Sequence, residues 1–285
     1  MTVEIHTPRG VVSIFDDPAS SARAAAESVA ASARAAVAAR GKFTLVLAGG
    51  ETPRRLYELL AQPPLLDEVP WSRTHVFWGD ERCVDANDPR SNERMARESL
   101  LDLVPIPGHQ VHPVGCDGSP AETARRYEAL LRGYFDGTPP GPVKAAAPED
   151  PAAGARSTVH GTTGSGPDLV LLGLGENGHT ASLFPHATAL GEQERWVLEV
   201  FVDAAAGAGT SAAGADMWRV TTTAPFINRA AAIVFLVAGV AKTATVKEVI
   251  EGPYDADRLP AQLISPAGGD VRWYLDTEAG SLLVR

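Results

Sequence analysis

The sequence predicts an α/β protein with a doubly wound, mostly parallel sheet, and three observations carry that expectation. Short runs of continuous apolar residues recur along the chain, helix-patterned stretches separate them, and glycine-containing turns follow the runs directly. A run that is apolar at every position suits a strand buried on both faces. Alternation of such strands with helices implies a parallel sheet covered on both sides.

Taken in order, the segment from Ala22 to Ala39 is alanine-rich with interspersed arginines, which favours helix, and Gly41 stops it. The first buried strand is Phe43-Thr44-Leu45-Val46-Leu47-Ala48, and the second is Thr74-His75-Val76-Phe77-Trp78. The third is Asp168-Leu169-Val170-Leu171-Leu172, and the fourth is Ile233-Val234-Phe235-Leu236-Val237. Helices are expected from Pro53 to Leu60, Asn92 to Leu103, Ala121 to Tyr134 and Val240 to Glu251. The segment from Gly137 to Gly166 has several prolines and no Leu, Ile or aromatic residue, and Asp203 to Asp216 is nearly all small residues. Neither can bury much surface, so 137–166 and 203–216 read as flexible surface insertions in a single domain spanning 1–285.

With 285 residues, 45% of them hydrophobic and 21% charged, the chain can bury a substantial core. A formal charge of −10 argues against a nucleic-acid partner, which would need a broad basic face. A small anionic substrate needs only a few local cations and stays compatible with that total. The longest charge-free apolar stretch, Ala230 to Ala241, is too short to cross a membrane. The start, Met1-Thr2-Val3-Glu4, lacks a basic patch followed by an apolar run, so a cytoplasmic protein is expected. Two cysteines, Cys83 and Cys116, are too few for a disulfide scaffold and lack metal-ligand spacing, and a reduced setting fits them. His109 and His112 have no carboxylate partner at metal spacing, so no metal is expected, and separately no cofactor is expected.

Ligands of open parallel sheets bind beyond the carboxyl ends of the strands, so the residues following each strand are the candidates. After the first come Gly49-Gly50-Glu51-Thr52-Pro53. Two glycines let a ligand approach the backbone, Thr52 can cap the next helix, and Pro53 suits its first turn. A helix start of that kind attracts phosphate, although an ordinary capped turn explains the same residues. After the second come Gly79-Asp80-Glu81-Arg82, which read as a presented site or as a solvated loop. After the third, Gly173 to Gly178 matches G-x-G-x-x-G. A dinucleotide turn must open a full crossover helix, and Pro185 ends this segment too early. The glycines instead shape a loop that presents Asn177 and His179, and a histidine there is a general-base candidate. After the fourth comes Lys242, in the first turn of a helix, where it can reach a phosphate or lie exposed. Arg219 is equally open. No G-x-S-x-G elbow occurs, no acid pairs recognisably with Ser182, and Cys83 reads as structural rather than as a nucleophile.

Together, Leu47 to Pro53, Trp78 to Arg82, Ser91-Asn92, Gly173 to Pro185 and Val237 to Thr243 resemble the 6-phosphogluconolactonase family and its relative, the glucosamine-6-phosphate deaminases. Pro260-Ala261-Gln262 and Trp273 to Asp276 extend the likeness over nearly the whole chain apart from the two insertions. Gly178-His179-Thr180-Ala181-Ser182-Leu183-Phe184-Pro185 is the specific part, while Gly49-Gly50-x-Thr52-Pro53 is shared with the deaminases. The resemblance implies a sheet of the sugar-phosphate deaminase/isomerase (modified Rossmann) type. It implies His179 as catalytic base, Gly49, Gly50 and Thr52 as phosphate loop, Arg82, Lys242 and Arg219 as phosphate contacts, and Asp80 as an acid at the site's edge. Many relatives carry aspartate where this chain has Asn177, which keeps an acceptor and loses the charge.

The expected reaction is hydrolysis of a small-molecule phosphorylated sugar lactone, 6-phospho-D-glucono-1,5-lactone, by a monomer or weak homodimer. The rivals are a glucosamine-6-phosphate deaminase/isomerase and a sugar-phosphate sensor without turnover. Deaminase chemistry benefits from several carboxylates around the histidine, and Asn177 with Thr180-Ala181-Ser182 counts against it.

Overall fold

The structure is a computed structural model that describes residues 2–137, 166–203 and 217–284. Nearly all of the two expected insertions, 137–166 and 203–216, lies outside the described residues.

The described chain opens with a hairpin of β1 (Val3–Thr7) and β2 (Gly10–Phe15), which leads into α1 (Pro18–Arg40). Asp17 caps α1 by accepting the Ser20 N–H at 2.7 Å, and Gly41 closes it at φ 75. The buried face of α1 is largely alanine, from Ala22 to Ala36, and such small side chains let the helix lie close across β2 and the central strands. Then follow β3 (Phe43–Leu47), α2 (Glu51–Leu60), α3 (Leu65–Glu68), β4 (Thr74–Trp78) and β5 (Asp80–Arg82). After these come α4 (Asn92–Ala96), α5 (Pro120–Phe135), β6 (Leu169–Leu172), β7 (Val197–Val202) and β8 (Met217–Thr222). The chain ends with α6 (Ala224–Ile227), β9 (Ala232–Val237), α7 (Thr243–Glu251) and β10 (Asp270–Asp276).

A seven-stranded sheet has the order β1-β2-β10-β9-β6-β3-β4, parallel except for the β1–β2 hairpin. Every residue of β3 and β6 is buried, so both faces of the sheet are covered, as the apolar runs require. Phe235 of β9 stacks on Trp273 of β10 with centroids 3.8 Å apart. From β3 the chain moves to β4 on one side, and its next sheet strand, β6, lies on the other. That reversal is the topological switch point, where a crevice opens beyond the strand ends.

A second, antiparallel sheet, β5-β8-β7, stands over that crevice. Gly79 makes the junction. Its N–H donates to the Leu47 carbonyl at 2.9 Å, and its carbonyl accepts from the Thr222 N–H at 2.7 Å.

Several sequence expectations need correction. Thr52 does not cap α2; Gly50 occupies the cap position at φ 108 and no side chain caps the helix. The helix expected from Asn92 to Leu103 is α4 followed by a widened π turn over Arg97–Leu101. There Ser99 Oγ donates to the Met95 carbonyl at 2.7 Å and competes for a helix acceptor. The segment beginning at Val240 is a 3₁₀ turn through Lys242 before α7 starts. Asp80-Glu81-Arg82 is a strand with two buried acids rather than a solvated loop. Among the described residues no helix is long and apolar enough to cross a membrane.

Candidate active site

The crevice at the switch point holds a cavity of about 250 Å³. Its floor is the ends of β3, β6 and β9. Its walls are the turn at 48–53, the loop at 173–181, and the side chains of Asp80, Arg82, Arg219 and Lys242. Of the nine residues singled out from sequence, Gly49, Gly50, Thr52, Asp80, Arg82, His179, Arg219 and Lys242 line it, while Asn177 stands behind His179.

At one end, Gly49 packs so tightly that a Cβ there would come within 1.9 Å of Asn92 Oδ1. Gly50 then turns the backbone at positive φ, a conformation glycine tolerates best. No side chain caps α2, so the N–H groups of Glu51 and Thr52, two residues that line the cavity, have no capping side chain. Proximity to that partial positive charge suits an anion.

The antiparallel pairing of β5 with β8 sets Arg82 directly opposite Arg219. Arg219 is 3% exposed, and its Nε, like that of Arg82, is buried without a hydrogen-bond partner among the described residues. Its guanidinium lies 5.3 Å from the Phe184 ring centroid. Burial holds Arg219 below the usual arginine range; Asp80 opposes that shift and Arg82 adds to it. Arg82 donates to the Arg90 carbonyl at 2.6 Å, and no carboxylate among the described residues forms an ion pair with either guanidinium. Two like charges held this close, short of acceptors, are arranged for an anion that arrives from outside. Lys242 adds a third cation, 3.7 Å from Glu176, with burial lowering its pKa and Glu176 partly restoring it.

His179 projects from the loop between β6 and β7. Its ring stacks on Phe184 with centroids 4.3 Å apart and leaves no room on the Gly175 side, where a Cβ would sit 1.9 Å from Nδ1. Asn177 Oδ1 lies 2.6 Å from His179 Nδ1 and also accepts the His179 backbone N–H at 3.3 Å. A backbone N–H only donates, so the amide atom facing it is the oxygen, and Nδ1 must then carry its proton. That leaves Nε2 as the bare, basic nitrogen. Burial first, then the positive charges of Arg219, Lys242 and Arg82, push the imidazole down to about 3, so it is neutral at physiological pH.

Other functional contacts were not foreseen from sequence. Ser182 Oγ donates to Asp80 Oδ2 at 2.7 Å, and Asn92 Nδ2 donates to Asp80 Oδ1 at 3.2 Å, so Asp80 ties the histidine loop to the start of α4, whose Asn92 packs against Gly49. Glu81 is buried and caps α4, accepting the Asn92 and Glu93 N–H groups at 2.7 Å each. Burial nonetheless raises its carboxyl to about 6. Ala181, on the cavity wall, takes φ 48 in the tight turn from Thr180 to Leu183, where non-glycine residues are uncommon. The one available signal was that Asn92, Ser182 and Phe184 all fall inside the motif segments.

The fold and this cavity define an α/β protein of the type that binds a small anionic ligand at the switch point of its sheet. The family model described as glucosamine-6-phosphate isomerases/6-phosphogluconolactonase matches residues 16–273, and the chain belongs to that family. It is 39% identical over 249 residues to a 6-phosphogluconolactonase of Synechocystis, covering 87% of this chain and 88% of that protein. A Nostoc 6-phosphogluconolactonase is 38% identical over 87% of this chain and 88% of its own length. Among solved structures, 6-phosphogluconolactonase from Trypanosoma cruzi superposes with a TM-score of 0.76 at 26% identity, covering 99% of each chain. A monomeric glucosamine-6-phosphate deaminase shares the fold, with a TM-score of 0.73 at 19% identity over 95% of this chain and 99% of that one.

Proposed function

We propose that this chain is a cytoplasmic 6-phosphogluconolactonase that hydrolyses 6-phospho-D-glucono-1,5-lactone to 6-phospho-D-gluconate, the second step of the oxidative pentose phosphate pathway. The observation that carries the reading is one cavity shared by a tautomer-fixed imidazole and two guanidiniums that form no ion pair with a carboxylate among the described residues. Its volume, about 250 Å³, lies below the roughly 300–1,000 Å³ of pockets for drug-sized ligands, which fits a single sugar phosphate.

In this reading the phosphate rests against Gly49, Gly50 and Thr52, held by Arg82, Arg219 and Lys242. Anchoring that end brings C1 of the lactone to His179. Nε2 takes a proton from water as the water oxygen bonds to C1, and the carbonyl oxygen becomes an oxyanion. When the C1–O5 bond breaks, the imidazolium returns its proton to O5. Asn177 Oδ1 keeps the ring oriented throughout and accepts from Nδ1 in both protonation states. The same cations that depress the histidine are neutralised by the bound phosphate, so substrate binding itself raises the basicity of Nε2. Asp80, at the edge of the cavity, braces the histidine loop against α4 through Ser182 and Asn92. The 285 residues act as one domain around this cavity, as a monomer or weak homodimer.

The test is to generate the lactone in situ and follow its disappearance against the uncatalysed rate, with glucosamine 6-phosphate as the control substrate. His179→Ala should lower kcat about 10²- to 10⁴-fold and leave KM nearly unchanged. Near-normal turnover in that variant removes His179 from the mechanism, and ammonia release from the control substrate would favour a deaminase.

A further inference from the structure

Cys83 and Cys116 are the chain's two cysteines, 33 positions apart, and the fold sets their sulfurs 3.2 Å from each other. Neither belongs to the cavity. Cys83 follows Arg82 at the end of β5, where its N–H donates to the Trp218 carbonyl at 2.9 Å. Cys116 lies in a tight turn before α5, after Gly115 at φ 63. Arg126 braces that turn through the Gly115 carbonyl and the Asp117 carboxylate. Both residues are half-buried, so a small reagent can reach them. The contact is sequence-distant, and each partner is anchored by its own hydrogen bonds, so the sulfurs are held together by the fold rather than by local flexibility.

We propose that Cys83 and Cys116 are a reversible dithiol–disulfide site whose oxidation by a small-molecule disulfide weakens anion binding at the neighbouring Arg82. Cys83 supplies the attacking thiolate, whose anion a hydrogen bond from the Cys116 thiol, 3.2 Å away, stabilises. The Cys83 thiolate attacks the external disulfide, forms a mixed disulfide and releases one thiolate. The Cys116 sulfur then attacks Cys83 Sγ, expels the second thiolate and gives up its proton. In total, the protein dithiol and one external disulfide become the protein disulfide and two external thiols, a two-electron exchange. A cytosolic pair of this kind cycles rather than serving as a permanent staple.

The effect on the cavity follows from chain connectivity. A disulfide is about 2.05 Å long, so bonding draws the sulfurs together by roughly 1 Å. Cys83 directly follows Arg82, the last residue of the three-residue strand β5, and the Arg82 side chain donates to the Arg90 carbonyl. Closing the disulfide therefore strains the end of β5 next to Arg82, and in this proposal that strain disturbs the pairing of its guanidinium with Arg219 across the ladder.

The decisive experiment treats the purified full-length chain with excess glutathione disulfide and then alkylates it. The expected result is loss of both reactive thiols, a mass lower by two hydrogens, and a peptide linking 83 to 116, all reversed by dithiothreitol. None of these readouts depends on the proposed reaction. Binding of inorganic phosphate, followed by calorimetry, should weaken about tenfold on oxidation, and KM for the lactone should rise by a similar factor with kcat little changed. Cys116→Ser and Cys83→Ser should keep the reduced protein's phosphate affinity and lose the response to oxidant. Two thiols that stay alkylatable, or a mixed disulfide that never resolves, overturn the site. A disulfide that forms while phosphate affinity stays constant overturns its coupling to Arg82.

Discussion

Gly175→Ala tests whether the placement of the imidazole, and not merely its presence, sets the rate. The ring of His179 is held between the Gly175 backbone and the Phe184 ring, stacked 4.3 Å away. A methyl group at 175 would sit 1.9 Å from Nδ1 and 2.1 Å from Cε1. Ordinary carbon packing needs about 3.5 Å, so the ring must move by roughly 1.5 Å. Phe184 blocks simple retreat, and the ring can clear the methyl only by swinging off the Asn177 Oδ1 bond that fixes its tautomer. A displacement of about 1 Å at a reacting group costs on the order of 10² in rate, and loss of the tautomer adds to it. The anion end of the cavity, at 49–52 with Arg82 and Arg219, is untouched. Steady-state kinetics on lactone generated in situ should therefore show kcat down at least about 100-fold with KM within about threefold of wild type. Overpacking costs about 1–3 kcal/mol, so a melting curve should show a lowered but cooperative transition. A folded Gly175→Ala protein with wild-type kcat would refute the argument, because the imidazole would then not be confined as described.

Three further outcomes follow from the same geometry. Gly49→Ala drives a Cβ to 1.9 Å from Asn92 Oδ1 and should displace the anion turn, raising KM about tenfold or more while kcat changes less; an unchanged KM removes that turn from substrate binding. With His179 pushed down to about 3 by burial and three cations, Nε2 stays unprotonated through neutral pH, and activity is lost only as pH falls through the depressed value. The acid limb of kcat/KM assigned to His179 should thus lie far below 6.5, apart from the substrate phosphate's own ionisation near pH 6, whereas the limb of kcat should sit higher because bound phosphate offsets the cations. Coincident limbs near 6.5 would contradict this. Asn177→Asp puts a carboxylate against Nδ1 and should shift the acid limb of kcat upward by about 1 unit or more, read from the same pH–rate profiles.

The four buried strands were legible in the sequence because each is a short, largely apolar run, Thr44, Thr74 and His75 being the polar exceptions, and such runs suit a sheet covered on both faces. The strands that were not legible are β1, β2 and β10 on one side of the large sheet and the three strands of the small antiparallel sheet. β5 is three charged residues, Asp80-Glu81-Arg82, and no propensity favours a strand there; it forms because β8 offers a ladder and because Glu81 finds the N–H groups of α4. Thr52 looked like a cap by residue type, yet the helix begins two residues earlier than that implies, at Glu51, with Gly50 at φ 108 in the cap position.

For the site, sequence determined the chemistry of the parts: a glycine turn at 49–50, a histidine at 179, cations at 82, 219 and 242, and the family to which these motifs belong. Tertiary structure alone decided their relations. It set Arg82 across from Arg219, joined Ser182 to Asp80 over 102 positions, and brought Cys83 to Cys116 over 33. Apolar periodicity is a local property, written in neighbouring residues by the repeat of the backbone. Cross-strand register and the electrostatic field on His179 are sums over residues distant in the chain, so they exist only once the sheet has closed around the cavity.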